Sequence, residues 1–450
     1  MTSPQSNFTK AILTDMYQIT MTYSHFHANK HEQPCVFDYF FRKNPFKGQY
    51  TLFGGLSEVI SFLSTYKFSS EDIGYLRNHP QLSDAGEDFF VYLQNLDCSK
   101  LKVYAIKEGN LVFPREPLIR VEGPLGIAQL LETTILNIIN YATLVTTYAA
   151  RIRIAAGEKA TLLEMGLRRA QGPDGAMSAS RYSYLGGFDG TSNVLAGIHF
   201  GIKVSGTHAH AYVQSYEGLE GLSRKDIKKP DGGTIPDFLS IVLDFRKQLG
   251  AEHTNDGELA AFVSYCQAFP KGFLALVDTY DTLRSGIPNF LSCALALNRV
   301  GYKPLGIRLD SGDLAALSRQ VRARFQQAAD RFAVPELAGL SIVASNDLNE
   351  EALYELAARG HEINTYGIGT ALATCEAQPA LGGVCKLVEI GGHPRIKLSQ
   401  ARPPAPARPS RPARALRRTP AARAHPNRPS SCTSVCWRQG GRRTVCWVCG

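Results

Sequence analysis

Apolar positions along the chain fall into two rhythms. Up to about residue 128, CVFDYFF from Cys35, KVYAIKEGNLVF from Lys102 and EPLIRVEGPL from Glu116 are short apolar runs bounded by polar and turn-forming residues, and they read as strands. Between the first two lie Leu56-SEVISFLSTY and SSEDIGYLRN, which read as a helical hairpin with Ser69 as an N-cap ahead of acidic residues in the first turn. Residues 1–128 are therefore expected to form an α+β sandwich-like domain. A long helical stretch follows from about Gly126 to Ala156.

Beyond it a second rhythm sets in: an apolar run, a polar cluster at its C-terminal end, then a helical segment. The runs are ATLLEMG from Ala160, GIKVSGT from Gly201, GFLALVD from Gly272, PLGIRLD from Pro304, LSIVAS from Leu340, INTYGIG from Ile363 and CKLVEI from Cys385, with helices such as Leu314-AALSRQVRARFQQAADRF and Asn349-EEALYELAARG between several of them. Buried apolar runs alternating with helices predict parallel strands joined by crossovers. About seven such units predict an incomplete α/β barrel over residues 129–400 rather than an open doubly wound sheet.

In such barrels the chemistry sits at the C-terminal ends of the strands. The residues there are Arg168, Arg169 and Gln171; Thr207, His208 and His210; Asp278 and Asp281; Arg308, Asp310 and Asp313; Ser345 and Asn346; and the Tyr366-GIGT stretch running on to Gly382-GVCK. Arginines suit bidentate anion contacts, glycines let backbone N–H groups approach oxygens, and four carboxylates suit Mg²⁺, so the row predicts a site for a phosphate-bearing substrate. Each element has a plainer reading. An Asp in LVDTYDT can be a helix N-cap, Arg308 and Asp310 can pair with each other, and His208 and His210, at strand spacing, can be two ordinary histidines instead of metal ligands. GIGT is neither a dinucleotide fingerprint nor a Walker loop.

Composition changes this picture in one place. The chain has 450 residues, 49 Lys+Arg against 40 Asp+Glu, and a net charge of +9, which invites a nucleic-acid or anionic-membrane reading. Eleven of the basic residues, all Arg, lie in 401–450, which has no acidic residue; the remaining 400 residues carry 38 basic against 40 acidic side chains. The body is near neutral, and nucleic acid is not expected as its partner. Residues 401–450 are also rich in Pro and Ala and are expected to be a disordered tail. Two readings of it stand: a basic arm or metal knuckle using Cys432, Cys436, Cys446 and Cys449, or the Ala/Arg/Pro bias of a GC-rich message read out of frame or across an intron. No run of about 18 apolar residues is present, no cationic start leads into an apolar run, and the six other cysteines lack CxxC spacing, so a cytosolic protein without a membrane segment is expected.

Taken together, TDMYQITM from Thr14, FFRKNPF from Phe40, LRRAQGPDGAMSASRYSYLGGFDGTSNVLAG from Leu167, GTHAH from Gly206, LVDTYDT from Leu276, GIRLDSGDL from Gly306 and YGIGT…LGGVCKLVEI from Tyr366 resemble the nicotinate phosphoribosyltransferase family over roughly residues 10 to 400. The resemblance implies a type II phosphoribosyltransferase fold, an irregular (β/α) barrel with an N-terminal α+β sandwich domain, in a homodimer with shared active sites. It implies a reaction between nicotinate and 5-phosphoribosyl 1-pyrophosphate with Mg²⁺ (or Mn²⁺) and coupled ATP hydrolysis. Carried over by motif, Tyr17 would stack on the pyridine ring from across the dimer. Arg308 would face the nicotinate carboxylate, with Arg168, Arg169 and Thr207 nearby. His210 would be the phosphorylated histidine. Gly367, Gly369, Thr370, Gly382 and Gly383 would hold the phosphoribosyl phosphate, Ser345 and Asn346 would be further substrate-binding residues, and Asp278 and Asp310 would orient the ribose and the metal-pyrophosphate. Two departures stand out: Cys385 where the family pattern has an aromatic residue, and the loss of resemblance after about Ile396-KLSQ, where family members continue. Competing expectations are a nicotinamide-using relative and an inactive truncated or basic-tailed binding protein.

Overall fold

The computed structural model describes residue 6 and residues 8–397. The 401–450 segment, with the disorder and metal knuckle considered for it, lies outside the described residues.

Ten strands carry the architecture: β1 (Pro34–Phe41), β2 (Lys102–Ala105), β3 (Ile119–Pro124), β4 (Thr161–Glu164), β5 (Gly190–Thr191), β6 (Leu274–Leu276), β7 (Gly306–Leu309), β8 (Ser341–Ala344), β9 (Thr365–Ile368) and β10 (Gly383–Ile390). In β1 every second side chain, Cys35, Phe37, Tyr39 and Phe41, is buried, as the two-residue period of a strand requires. β1 runs antiparallel to β3 on one side and to β10 on the other, and β2 closes the far edge against β3. Asp38 lies directly opposite Arg120 in that register and takes a bidentate ion pair from it, 2.8 and 2.9 Å. The helical hairpin forms as expected at Leu56–Ser64 and Ser70–Arg77, with a full capping box between Ser69 and Asp72. The long helix is split at Leu131 into Leu125–Leu130 and Glu132–Ala156.

The second sheet has six strands in the order β6-β7-β8-β9-β4-β5, all parallel. Its central strands are buried almost throughout, because helices such as Ile287–Val300 and Leu314–Phe332 cover them. The latter helix turns Leu314, Ala315, Ser318, Val321, Phe325, Ala328 and Ala329 inward, a stripe at helical period.

Two of the seven expected units depart from the reading. The run at Gly201 contributes only a single parallel bridge, Val204 to Thr191, and the two-residue strand beside it, β5, sits inside the glycine-rich loop instead. The run at Cys385 is β10, which leaves the parallel sheet altogether and joins the N-terminal one, with Cys385 opposite Tyr39 and Gly383 opposite Phe41. An apolar run of that length is compatible with either sheet; its mixed burial, with Cys385 alone fully buried, marks a half-covered antiparallel strand. Among the described residues no helix is long and apolar enough to cross a membrane.

Candidate functional site

Parallel strands place all their C-terminal ends on one side, so the ends of β6, β7, β8, β9, β4 and β5 form a row in that order. At its start the predicted residues bond to one another. Asp278, past β6, accepts the amide of Asp310 (2.8 Å) and the Ser311 hydroxyl (2.5 Å) on the same oxygen. Arg308, on β7, donates Nε to Ser345 (2.8 Å) and Nη2 to Asp310 (3.0 Å), which holds its guanidinium in a fixed plane. Ser345 in turn donates to Asp310 at 2.5 Å. Burial alone would push the Asp310 carboxyl up, but the Ser345 hydrogen bond and the Arg308 charge outweigh it and hold the group below the ordinary range. His210 opens the short helix His210–Gln214, with Nε2 3.7 Å from Asp310 and Nδ1 3.1 Å from the Thr279 hydroxyl. Thr279 was not anticipated; its place inside LVDTYDT was the available signal.

Other residues of the same types do duller work. Asp281 caps the turn Thr282–Gly286, accepting two backbone amides, and Asp313 caps Leu314–Phe332 and pairs with Arg359. Of the four, only Asp278 and Asp310 join the hydrogen-bonded cluster that bridges neighbouring strand ends. The histidine pair is not a strand pair either. His208 is buried among Tyr212, Phe262 and Tyr265, accepts the Leu276 amide, and is pushed down by burial to about 4, so it stays neutral, while His210 turns toward Asp310.

Hard oxygen donors at Asp278 and Asp310 suit Mg²⁺, and the buried Asp278 Oδ1 has no hydrogen-bond partner among the described residues, which leaves a lone pair for a cation. No group of three or more His, Cys, Asp or Glu is gathered among the described residues, so phosphate oxygens and water would supply the remaining ligands.

Further along the row, Gly367 lies near the end of β9, and Gly369 precedes the helix Thr370–Thr374, which Thr370 begins. A Cβ on Gly367 would meet the Met165 sulfur at 2.5 Å, so the Met165 side chain lies directly against the β9 backbone. Arg168 and Arg169 are exposed on the loop after β4 and Thr207 on the loop before His210, none of them joined to the bonded cluster. Asn346 is exposed with φ +95°. Gly382 (φ +74°) precedes β10, and Gly383 donates its amide to Asn140 (2.8 Å) on Glu132–Ala156. The neighbouring Tyr141 on that helix donates to the Ala373 carbonyl, so one helix holds both glycine-bearing segments. Tyr17 is 48% exposed on Met16–His27 and takes no part in the cluster. Glu164, at the tip of β4, was missed altogether although it is wholly buried; a lone carboxylate inside the apolar run ATLLEMG was the signal.

Residues 12–140 match the model of the nicotinate phosphoribosyltransferase (NAPRTase) N-terminal domain. The chain is 54% identical over 397 residues to the nicotinate phosphoribosyltransferase of Dictyostelium discoideum, covering 88% of this chain and 67% of that protein. It superposes on the crystal structure of human nicotinic acid phosphoribosyltransferase with a TM-score of 0.79 at 45% identity, covering 86% of this chain and 76% of that one. The nicotinate-nucleotide pyrophosphorylase of Pyrococcus furiosus, at 22% identity and a TM-score of 0.56, shares the fold.

Proposed function

The chain belongs to the nicotinate phosphoribosyltransferase family, and from that premise we propose that it joins nicotinate to 5-phosphoribosyl 1-pyrophosphate, giving nicotinate mononucleotide and pyrophosphate. The observation that carries the reading is the bonded set Asp278, Arg308, Asp310 and Ser345 at adjacent strand ends, with His210 Nε2 3.7 Å from Asp310.

The pyridine nitrogen of nicotinate is already a nucleophile and needs no general base. It attacks the anomeric carbon as the bond to pyrophosphate breaks and the leaving group keeps the electron pair. Positive charge develops on the ribose, and Asp278 and Asp310 oppose it. The oriented Arg308 guanidinium meets the nicotinate carboxylate, with Arg168, Arg169 and Thr207 at its side, which favours the acid over the amide. Gly367, Gly369, Thr370, Asn346, Gly382 and Gly383 serve the phosphoribosyl group. Asp278 and Asp310, with the substrate, would hold Mg²⁺ (or Mn²⁺), which would supply charge neutralisation for the leaving pyrophosphate. Tyr17 stacks on the pyridine of the other subunit of a homodimer, consistent with its exposure in the single chain. The protein works in the cytosol.

ATP coupling falls to His210. Its Nδ1 contact with Thr279 fixes the ring and turns Nε2 toward Asp310, so a phosphoryl group passed from ATP to the imidazole, with ADP leaving, sits beside the groups that grip substrate until water removes it. Purified protein given labelled nicotinate and 5-phosphoribosyl 1-pyrophosphate should form nicotinate mononucleotide, faster with ATP, and should turn over nicotinamide poorly. His210→Ala should keep the slow ATP-independent rate and lose the stimulation. No product under any condition rejects the activity; stimulation that survives in His210→Ala rejects the histidine's role.

A further inference from the structure

Glu164 is completely buried at the end of β4, two residues before a loop of glycine and arginine. Its partners are all uncharged. Oε1 accepts the amide of Gly166, and Oε2 accepts the hydroxyls of Ser180 (2.8 Å) and Thr191 (2.5 Å). Asn193 completes the knot, donating its side-chain amide to Ser180 (3.2 Å) and its backbone amide to Thr191 (2.9 Å). A carboxylate taken out of water is expensive unless hydrogen bonds replace its hydration, and here three donors from three segments converge on it.

One of those donors, the Gly166 amide, has leverage on the site. Gly166 lies against the next loop so closely that a Cβ there would fall 2.8 Å from the Gly369 carbonyl oxygen and 2.5 Å from the Ala373 Cβ. The Met165 amide donates to the Ile368 carbonyl on the other side of the same contact (2.8 Å). The turn 165–171, which bears Arg168 and Arg169, is thus clamped from behind by Glu164 and seated in front on the segment that begins with Gly369 and Thr370.

We propose that Glu164 is a positioning residue that sets the separation of the two anion-binding loops, the arginine loop after β4 and the glycine-threonine loop after β9, by anchoring the Gly166 amide. It touches no substrate and acts through backbone. The inference rests on the reading above that these loops hold nicotinate and the phosphoribosyl group.

Because the loops contact parts of the substrates that do not react, their misplacement costs binding in ground state and transition state alike and appears in KM more than in kcat. Steady-state kinetics would compare wild type with Glu164→Leu, which removes the acceptor, and Glu164→Gln, whose single carbonyl oxygen can still take the Gly166 amide while the two hydroxyls rotate to accept from its NH₂ group. Glu164→Leu should raise KM for both substrates at least tenfold with kcat within threefold, and Glu164→Gln should restore KM to within threefold of wild type. If Glu164→Leu is insoluble, Glu164→Asp, which keeps the charge but draws it one methylene back from Gly166, should show the same KM rise. A KM unchanged in the soluble variant, or a fall in kcat alone, overturns the proposal. Arg168→Ala and Thr370→Val are run alongside. If they leave both KM values unchanged, it is the reading of the loops that fails; if they raise KM and the Glu164 variants do not, only the role of Glu164 fails.

Discussion

Replacing Glu258 by Gln should change how the stability of this protein depends on pH. Glu258 lies in the first turn of Asp256–Ala268 and is wholly buried. Its Oε2 accepts the Ser285 hydroxyl (2.5 Å) and the Asn289 amide (3.0 Å), while Oε1 is buried without a partner among the described residues. Burial pushes its carboxyl from 4.5 up to about 7; the Ser285 and Asn289 hydrogen bonds resist that rise, and the charges of Asp281 and Asp278 reinforce it. With the folded value above the unfolded one, the stabilisation is fully present below pH ~4.5 and is lost as pH rises through ~7, because the unfolded chain ionises first. At about 1.4 kcal/mol per unit, the loss between pH 5 and pH 8 is about 2 to 3 kcal/mol. Gln cannot ionise, so Glu258→Gln lacks this slope. It carries a constant penalty for the NH₂ group left at the unpartnered position, about 1 to 3 kcal/mol, which cancels when one variant is compared with itself at two pH values. Urea unfolding of both proteins at pH 5 and pH 8 should show wild type losing about 2 to 3 kcal/mol more than Glu258→Gln. Equal losses to within about 0.5 kcal/mol would refute a neutral buried carboxyl at this position.

Gly286 supplies a second test: a Cβ there would lie 1.9 Å from the Val277 carbonyl oxygen, which is backbone one residue before Asp278, so Gly286→Ala should destabilise by about 3 kcal/mol or more and depress activity with it, read by urea unfolding and the nicotinate assay. A change under about 1 kcal/mol would mean that the 277–286 loop relaxes freely. The Asp38–Arg120 pair, with its arginine 44% exposed, should yield only about 0.5 to 1 kcal/mol in a double-mutant cycle, shrinking further in 1 M salt. A coupling above about 2 kcal/mol would show the pair to be effectively desolvated.

What the sequence made legible follows from one geometric fact. A buried parallel strand announces itself as an apolar run, and all such strands end on the same side, so the polar residues after each run can be assigned to one surface without knowing any contact. Asp278, Arg308, Asp310 and Ser345 were found that way, and they are bonded together although Asp278 and Ser345 stand on strands separated by β7. The same logic fails where a side chain can choose between partners. Asp281 and Asp313 sit two or three residues ahead of free amides at a helix start and turn to those, whereas Asp278 and Asp310 find donors on the neighbouring strand or its loop. Four aspartates of identical chemistry therefore divide into two caps and two members of the bonded cluster. Glu164 fails in the opposite sense: its run is apolar but for Thr161 and that one acid, and what makes the acid tolerable there, Ser180 and Thr191, lies 16 and 27 residues away on other elements. A charge inside an apolar run is costly without such donors, so the run itself implies that they exist even though it cannot name them. Read in that direction, each lone acid or base in a buried strand predicts a polar knot, and both Arg308 on β7, with Asp310 and Ser345, and Glu164 on β4, with Ser180 and Thr191, carry one at the row of strand ends.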